Sequence, residues 1–161
     1  MSAKFTKVYP AIWSSARFNS LASPDAKLLL LYLMTSKHQC SAGAYHLPDG
    51  YAATDLEWPQ DKYRSTRAEL VEAGLILFDE ENATVYICDW FKWCPAQNPK
   101  HAQAVQRMIV ELPSESIAER AQEDFDRSRD PLGQAAAPQN GPSRNSPPIS
   151  QSLYDSIVRT R

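Results

Sequence analysis

The stretch LVEAGLILFDEENATVYICDWF, residues 70–91, constrains this chain more than any other. A helically spaced pattern runs into Gly74, where a residue free to take positive φ ends helices. Two runs rich in β-branched and aromatic residues follow, LILFDE and TVYICDWF, with DEENA as the turn between them. A helix that feeds directly into a hairpin leaves few architectures open. The tip of the hairpin carries Asp79, Glu80 and Glu81 and no base.

The segments before it complete the pattern. In WPQDKYRSTRAELVEAG, Pro59 stands at the start of a helix and Gly74 just past its end. Its inward face is expected at Tyr63, Thr66 or Arg67, Leu70 and Ala73, at spacings of three and four. In FNSLASPDAKLLLLYLMTS, Ser23 can cap a helix with Pro24 in its first turn. Leu28, Leu29, Leu31, Tyr32 and Met34 cover nearly its whole circumference, so burial on most sides is expected. Ala44 to Leu47 reads as a short extended run, Pro48, Asp49 and Gly50 as a turn, and Tyr51 to Trp58 as about two helical turns. The expected order is helix, strand, helix, helix, strand, strand. Three helices closed by a hairpin make an α+β fold of the winged helix-turn-helix kind, the hairpin covering what the helices leave open.

Beyond the hairpin, Asn98 and Pro99 open a helix with an apolar stripe at Ala102, Val105, Met108, Ile109 and Leu112, and a strongly charged helix follows Ser114. From residue 129 to 151 Pro, Gly, Ser, Asn and Gln dominate, a composition that buries too little to fold. The expected organisation is a winged-helix domain over 1–97, a helical extension over 98–128, a disordered linker over 129–151 and a short helix over 152–161. In that last helix Leu153, Tyr154, Ile157 and Val158 share one face and form a candidate partner-binding peptide.

Net charge is -2 over 161 residues, so any contact with nucleic acid must come from a local patch. Residues 1–24 hold Lys4, Lys7 and Arg17 and no acid. Cys40, Cys88 and Cys94 form no disulfide framework and no zinc spacing, which points to a reducing compartment and no metal. No leader pattern is present, and the longest apolar stretch, Leu28 to Met34, is far too short to span a bilayer; the expectation is a cytoplasmic protein without membrane contact. No nucleophile elbow, P-loop or H-E-x-x-H motif occurs, so neither catalysis nor a cofactor is expected.

VYPAIWSSARFNSLASPDAKLLLLYLMTS, YHLPDGYAATDLEWPQDK and the stretch from Leu70 through NPKHA together resemble the N-terminal winged-helix domain of phage and prophage replication proteins, the DnaD-like and lambdoid O-like replisome organisers. The resemblance covers residues 5–112 and rests on the order of its motifs. It implies binding to double-stranded DNA at a phage origin and recruitment of a host replication protein.

On this reading the helix before Gly74 reads DNA. Gln60 and Arg64 suit base edges, Lys62 and Ser65 suit phosphate, and Arg67 is a further candidate. Lys4, Lys7 and Arg17 are candidate phosphate contacts. Glu80 and Glu81 would be repelled by a phosphate chain, so the hairpin tip either faces solvent or meets a basic protein partner. Two alternatives stand beside this one: a winged-helix module that binds or inhibits a host protein, and a transcriptional repressor.

Overall fold

The computed structural model describes residues 6–129. The expected linker and C-terminal helix, with Leu153, Tyr154, Ile157 and Val158, lie outside the described residues, as does Lys4. The fold is mixed α+β. Among the described residues a 3-10 turn (Pro10–Ser14) and α1 (Ala16–Asn19) lead into α2 (Pro24–Thr35), β1 (Ala44–His46), α3 (Asp49–Leu56) and α4 (Gln60–Glu72). The hairpin strands β2 (Ile76–Asp79) and β3 (Thr84–Ile87) follow, then α5 (Trp90–Trp93), α6 (Pro99–Val110) and α7 (Glu115–Arg129). The three strands form one antiparallel sheet in the order β1-β3-β2.

Local signals place the helices. The Ser23 hydroxyl accepts a bond from Ala26 N–H at the start of α2, and the Asn98 side chain does the same for His101 N–H at the start of α6. Gly74, at φ +66°, ends α4 as expected. Two expectations need correction. Asp49 and Gly50 belong to α3 rather than to a turn before it, because Pro48 serves as its N-cap. And α2 is not buried all round: Ala26, Leu29, Leu30, Leu33 and Met34 face inward, while Leu28 is 48% exposed.

Every residue of β3 is buried. Strand alternation turns Tyr86 to one face, where its hydroxyl donates to Asp124 of α7, and Val85 and Ile87 to the other. The last helix therefore belongs to the same core as α2 and α4: Ile117, Ala121 and Phe125 join it with 2%, 0% and 0% exposure. Burying Phe125 alone is worth about 2 kcal/mol in transfer terms. The charged appearance of α7 conceals one buried carboxylate, Asp124, which accepts from Tyr86 Oη at 2.8 Å, Arg127 Nη1 at 2.9 Å and Arg120 Nε at 3.3 Å. A buried charge is tolerable only with such partners. The phenol of Tyr86 is pushed up by burial and by that carboxylate.

Candidate nucleic-acid interface

Helix α4 packs on α2, α3 and β2. Tyr63, Thr66, Arg67 and Leu70 form its inner face, which puts the opposite line at Asp61, Ser65, Ala68 and Glu72 at 100° per residue. Gln60 and Arg64 flank that line on one side, Lys62 and Glu69 on the other. All four line residues are exposed, and so are Gln60 and Arg64. Glu69 is committed to the fold: its carboxylate accepts from the N–H groups of Ala22 and Ser23 and from the Ser23 hydroxyl.

Each expected DNA-contacting cation on this helix already has an acidic partner. Lys62 Nζ lies 2.9 Å from Asp25 and 4.3 Å from the centroid of the Trp58 ring. Arg64 Nε donates to Asp49 Oδ2 at 2.6 Å with its side chain 55% exposed. Ser65 stays exposed, its hydroxyl donating to the Lys62 carbonyl.

Arg67 differs in kind. It is 4% exposed, its guanidinium lies over the Phe78 ring at 3.6 Å, and it donates to both Asp49 and Glu80. A side chain spent in this way cannot reach a base edge, so its expected role as a reader is corrected to an anchor. The Asp49 carboxyl shows the balance: burial would raise its pKa, but the hydrogen bonds from Arg64 and Arg67 outweigh that and hold it below the ordinary value.

The same contacts explain the acidic tip of the hairpin. Asp79 builds the turn: its Oδ1 accepts from Glu81 N–H and Asn82 N–H, and its Oδ2 from the Asn82 amide. The Asn82 side chain first, then the Ser114 side chain and the turn's backbone N–H groups hold the Asp79 carboxyl at about 2. Glu80 reaches back to Arg67, and Glu81 points into solvent. Of the two acids expected to meet a partner, Glu80 is therefore occupied inside the molecule.

The remaining expected contacts lie elsewhere. Arg17 donates to Asp89 and, at 3.2 Å, to the carbonyl of Gly74 beyond the C-terminal end of α4. That is about 15 Å along the helix from Arg64 at 1.5 Å per residue. Lys7 is exposed and near Cys94, whose thiol is raised by burial against the opposing Lys7 charge. The structure thus sets Gln60, Arg64 and Ser65 side by side in the first turns of α4, puts Lys62 on the opposite flank, and leaves Lys7 and Arg17 apart from them. No signal in the sequence marked Asp49 or Asp25 as their partners, since both pairs close across more than ten residues.

Over the described residues thirteen Lys and Arg stand against seventeen Asp and Glu. Among these residues no group of His, Cys, Asp and Glu is placed to hold a metal ion, and no helix is long and apolar enough to cross a membrane. No protein-family model, curated protein or solved structure matches the chain.

Proposed function

We propose that residues 6–129 act as a winged-helix module that binds duplex DNA through the N-terminal half of α4, in replication initiation or replisome recruitment of the phage type. The observation that supports this reading most is the exposed trio Gln60, Arg64 and Ser65, with the half-buried Lys62 on the opposite flank, on a helix braced from behind by α2 and α3. In helix-turn-helix docking that half of the second helix meets the base edges. Ion pairs as exposed as Arg64–Asp49 and Lys62–Asp25 are worth about 0–1 kcal/mol, so phosphate or a guanine edge can displace the acid at little cost. Arg67 contributes by fixing Asp49, which in turn orients Arg64. Glu80 and Glu81 keep the hairpin tip off the phosphate chain.

A second reading has its own support: the outermost line of α4 begins and ends in acids, Asp61 and Glu72, with no cation between them. This surface suits a basic protein partner, as for a module that binds or inhibits a host protein.

One experiment separates the two. Binding of the full chain to duplex and single-stranded DNA is measured by anisotropy at two salt concentrations. A face making about three phosphate contacts loses about fortyfold in affinity between about 50 and 200 mM salt. Arg64→Ala should weaken duplex binding about tenfold, the cost of one good bidentate base contact. Absence of binding at the lower salt, or an Arg64→Ala protein that binds as tightly as the parent, transfers the assignment to the protein-binding reading.

A further inference from the structure

A groove of about 440 Å³ opens at the base of the hairpin, at the end away from Glu80 and Glu81. Its floor is apolar, made by Leu30, Met34 and Ile87. Tyr9 and Trp93 give it aromatic walls, their rings 6.3 Å apart and tilted by 42°, with Trp90, 2% exposed, buried behind. Trp90 is locked in place, its indole N–H donating to the Ser41 carbonyl at 3.1 Å. Among the described residues the charged ones that line the groove are Arg17 and Lys92, both cations, and no carboxylate. Arg17 is balanced by Asp89. Lys92 is exposed, lies 5.6 Å from the Trp93 ring centroid and makes no ion pair among the described residues.

Size and chemistry together narrow the occupant. Ligand pockets run from about 300 to 1,000 Å³, with apolar walls and a few placed polar groups. A carboxylate gains an attraction from Lys92 at the mouth that a neutral apolar guest does not. The chain's own residues 152–161 carry Asp155 against Arg159 and Arg161 and are net positive, the wrong sign for this rim. A nucleic-acid strand needs a row of cations, and the groove offers two. We propose that this groove binds a small aromatic carboxylate, its ring against the exposed edges of Tyr9 and Trp93 over the apolar floor and its carboxylate at Lys92 and Arg17. The site does not depend on what α4 binds.

Isothermal calorimetry on the full chain tests this with 2-naphthoate and its neutral counterpart 2-naphthalenemethanol. The acid should bind at one site and the alcohol about tenfold more weakly, the value of one charge-assisted contact. Lys92→Gln, at an exposed position, should weaken the acid about two- to fivefold and leave the alcohol unchanged. Ala11→Trp places an indole in the groove and should abolish both, provided its thermal unfolding matches the parent. The assignment is overturned if the acid gives no binding at about 1 mM, the weak end of useful affinity. It is equally overturned if acid and alcohol bind alike, if Lys92→Gln changes nothing, or if a folded Ala11→Trp protein still binds.

Discussion

At the tip of the hairpin, Asp79 folds its own turn, Glu80 reaches back to Arg67, and Asp49 holds Arg64 and Arg67 together. At the base of the same hairpin, Gly43 lies against Trp90, Tyr86 leans on Asp124, and Lys92 meets no carboxylate among the described residues. The tip is densely charged, with Asp49 and Glu80 spent on Arg64 and Arg67; the base is apolar and aromatic, with Lys92 in no ion pair among the described residues. The contrast teaches that a run of acids need not advertise a partner. Here it is chiefly construction, and the unspent charge sits where the sequence looks least polar.

The comparison breaks most severely at Gly43. Its φ is +69°, and an added Cβ would lie 2.3 to 2.7 Å from three side-chain atoms of Trp90. Left-handed backbone costs an L-residue about 1–2 kcal/mol, and overpacking about 1–3 more. Gly43→Ala should therefore lose about 3 kcal/mol of stability in urea denaturation. Gly74 is the control, since its φ is +66° but nothing lies within 4 Å of its added Cβ. Gly74→Ala should lose only the backbone part, about 1 kcal/mol. Equal losses at the two glycines would mean that contact with Trp90 is not what makes the base rigid.

At the tip, the largest effect belongs to the buried arginine. Arg67→Ala strips Asp49 of one partner and empties the space over Phe78; breaking a buried pair costs about 3–5 kcal/mol, reduced here to about 2–3 because Arg64 still faces Asp49. Arg64→Ala, at 55% side-chain exposure, should cost less than about 1 kcal/mol. On the proposed function the two neighbours then divide cleanly: Arg67→Ala should lower the melting temperature and Arg64→Ala the DNA affinity. If the exposed arginine proved the more costly to remove for stability, Asp49 would not be anchored as described.

What the sequence made legible follows the same division. Caps at Ser23 and Asn98, the stop at Gly74 and the turn DEENA are local, written within four residues, and the hairpin with its preceding helix could be read from them. The partners of Arg67, the buried Asp124 and the demand of Trp90 on Gly43 close across 18, 38 and 47 positions, and single-chain patterning holds no record of such pairings. Arg67 shows the ambiguity at its sharpest: helical spacing left it on either face, and burial on Phe78 decided it. The aromatic groove escaped for a related reason. Tyr9 lies more than 80 positions from Trp90 and Trp93, and only the fold sets them around a shared space.

The smallest effect distinguishes the two ends by pH. Asp49 and Asp79 titrate below the unfolded value of about 4. A carboxyl lowered by folding gives stability that is complete above the unfolded value and lost as pH falls through the folded one. The tip should therefore loosen between about pH 4 and pH 2, where Asp79 titrates. At the base, burial raises Cys88 and Cys94, and burial with the Asp124 carboxylate raises Tyr86. Their contribution is complete below the unfolded values, about 8.5 for a thiol and about 10 for a phenol, and is lost as pH rises towards the folded ones. Urea midpoints across both limbs should then fall at each extreme for different reasons. Asp79→Asn should flatten the acid limb between about pH 4 and pH 2 and leave the alkaline limb unchanged. Tyr86→Phe should flatten the alkaline limb alone, with Asp124 still held by Arg120 and Arg127. A single substitution that flattened both limbs would show the tip and the base to be one electrostatic unit rather than two.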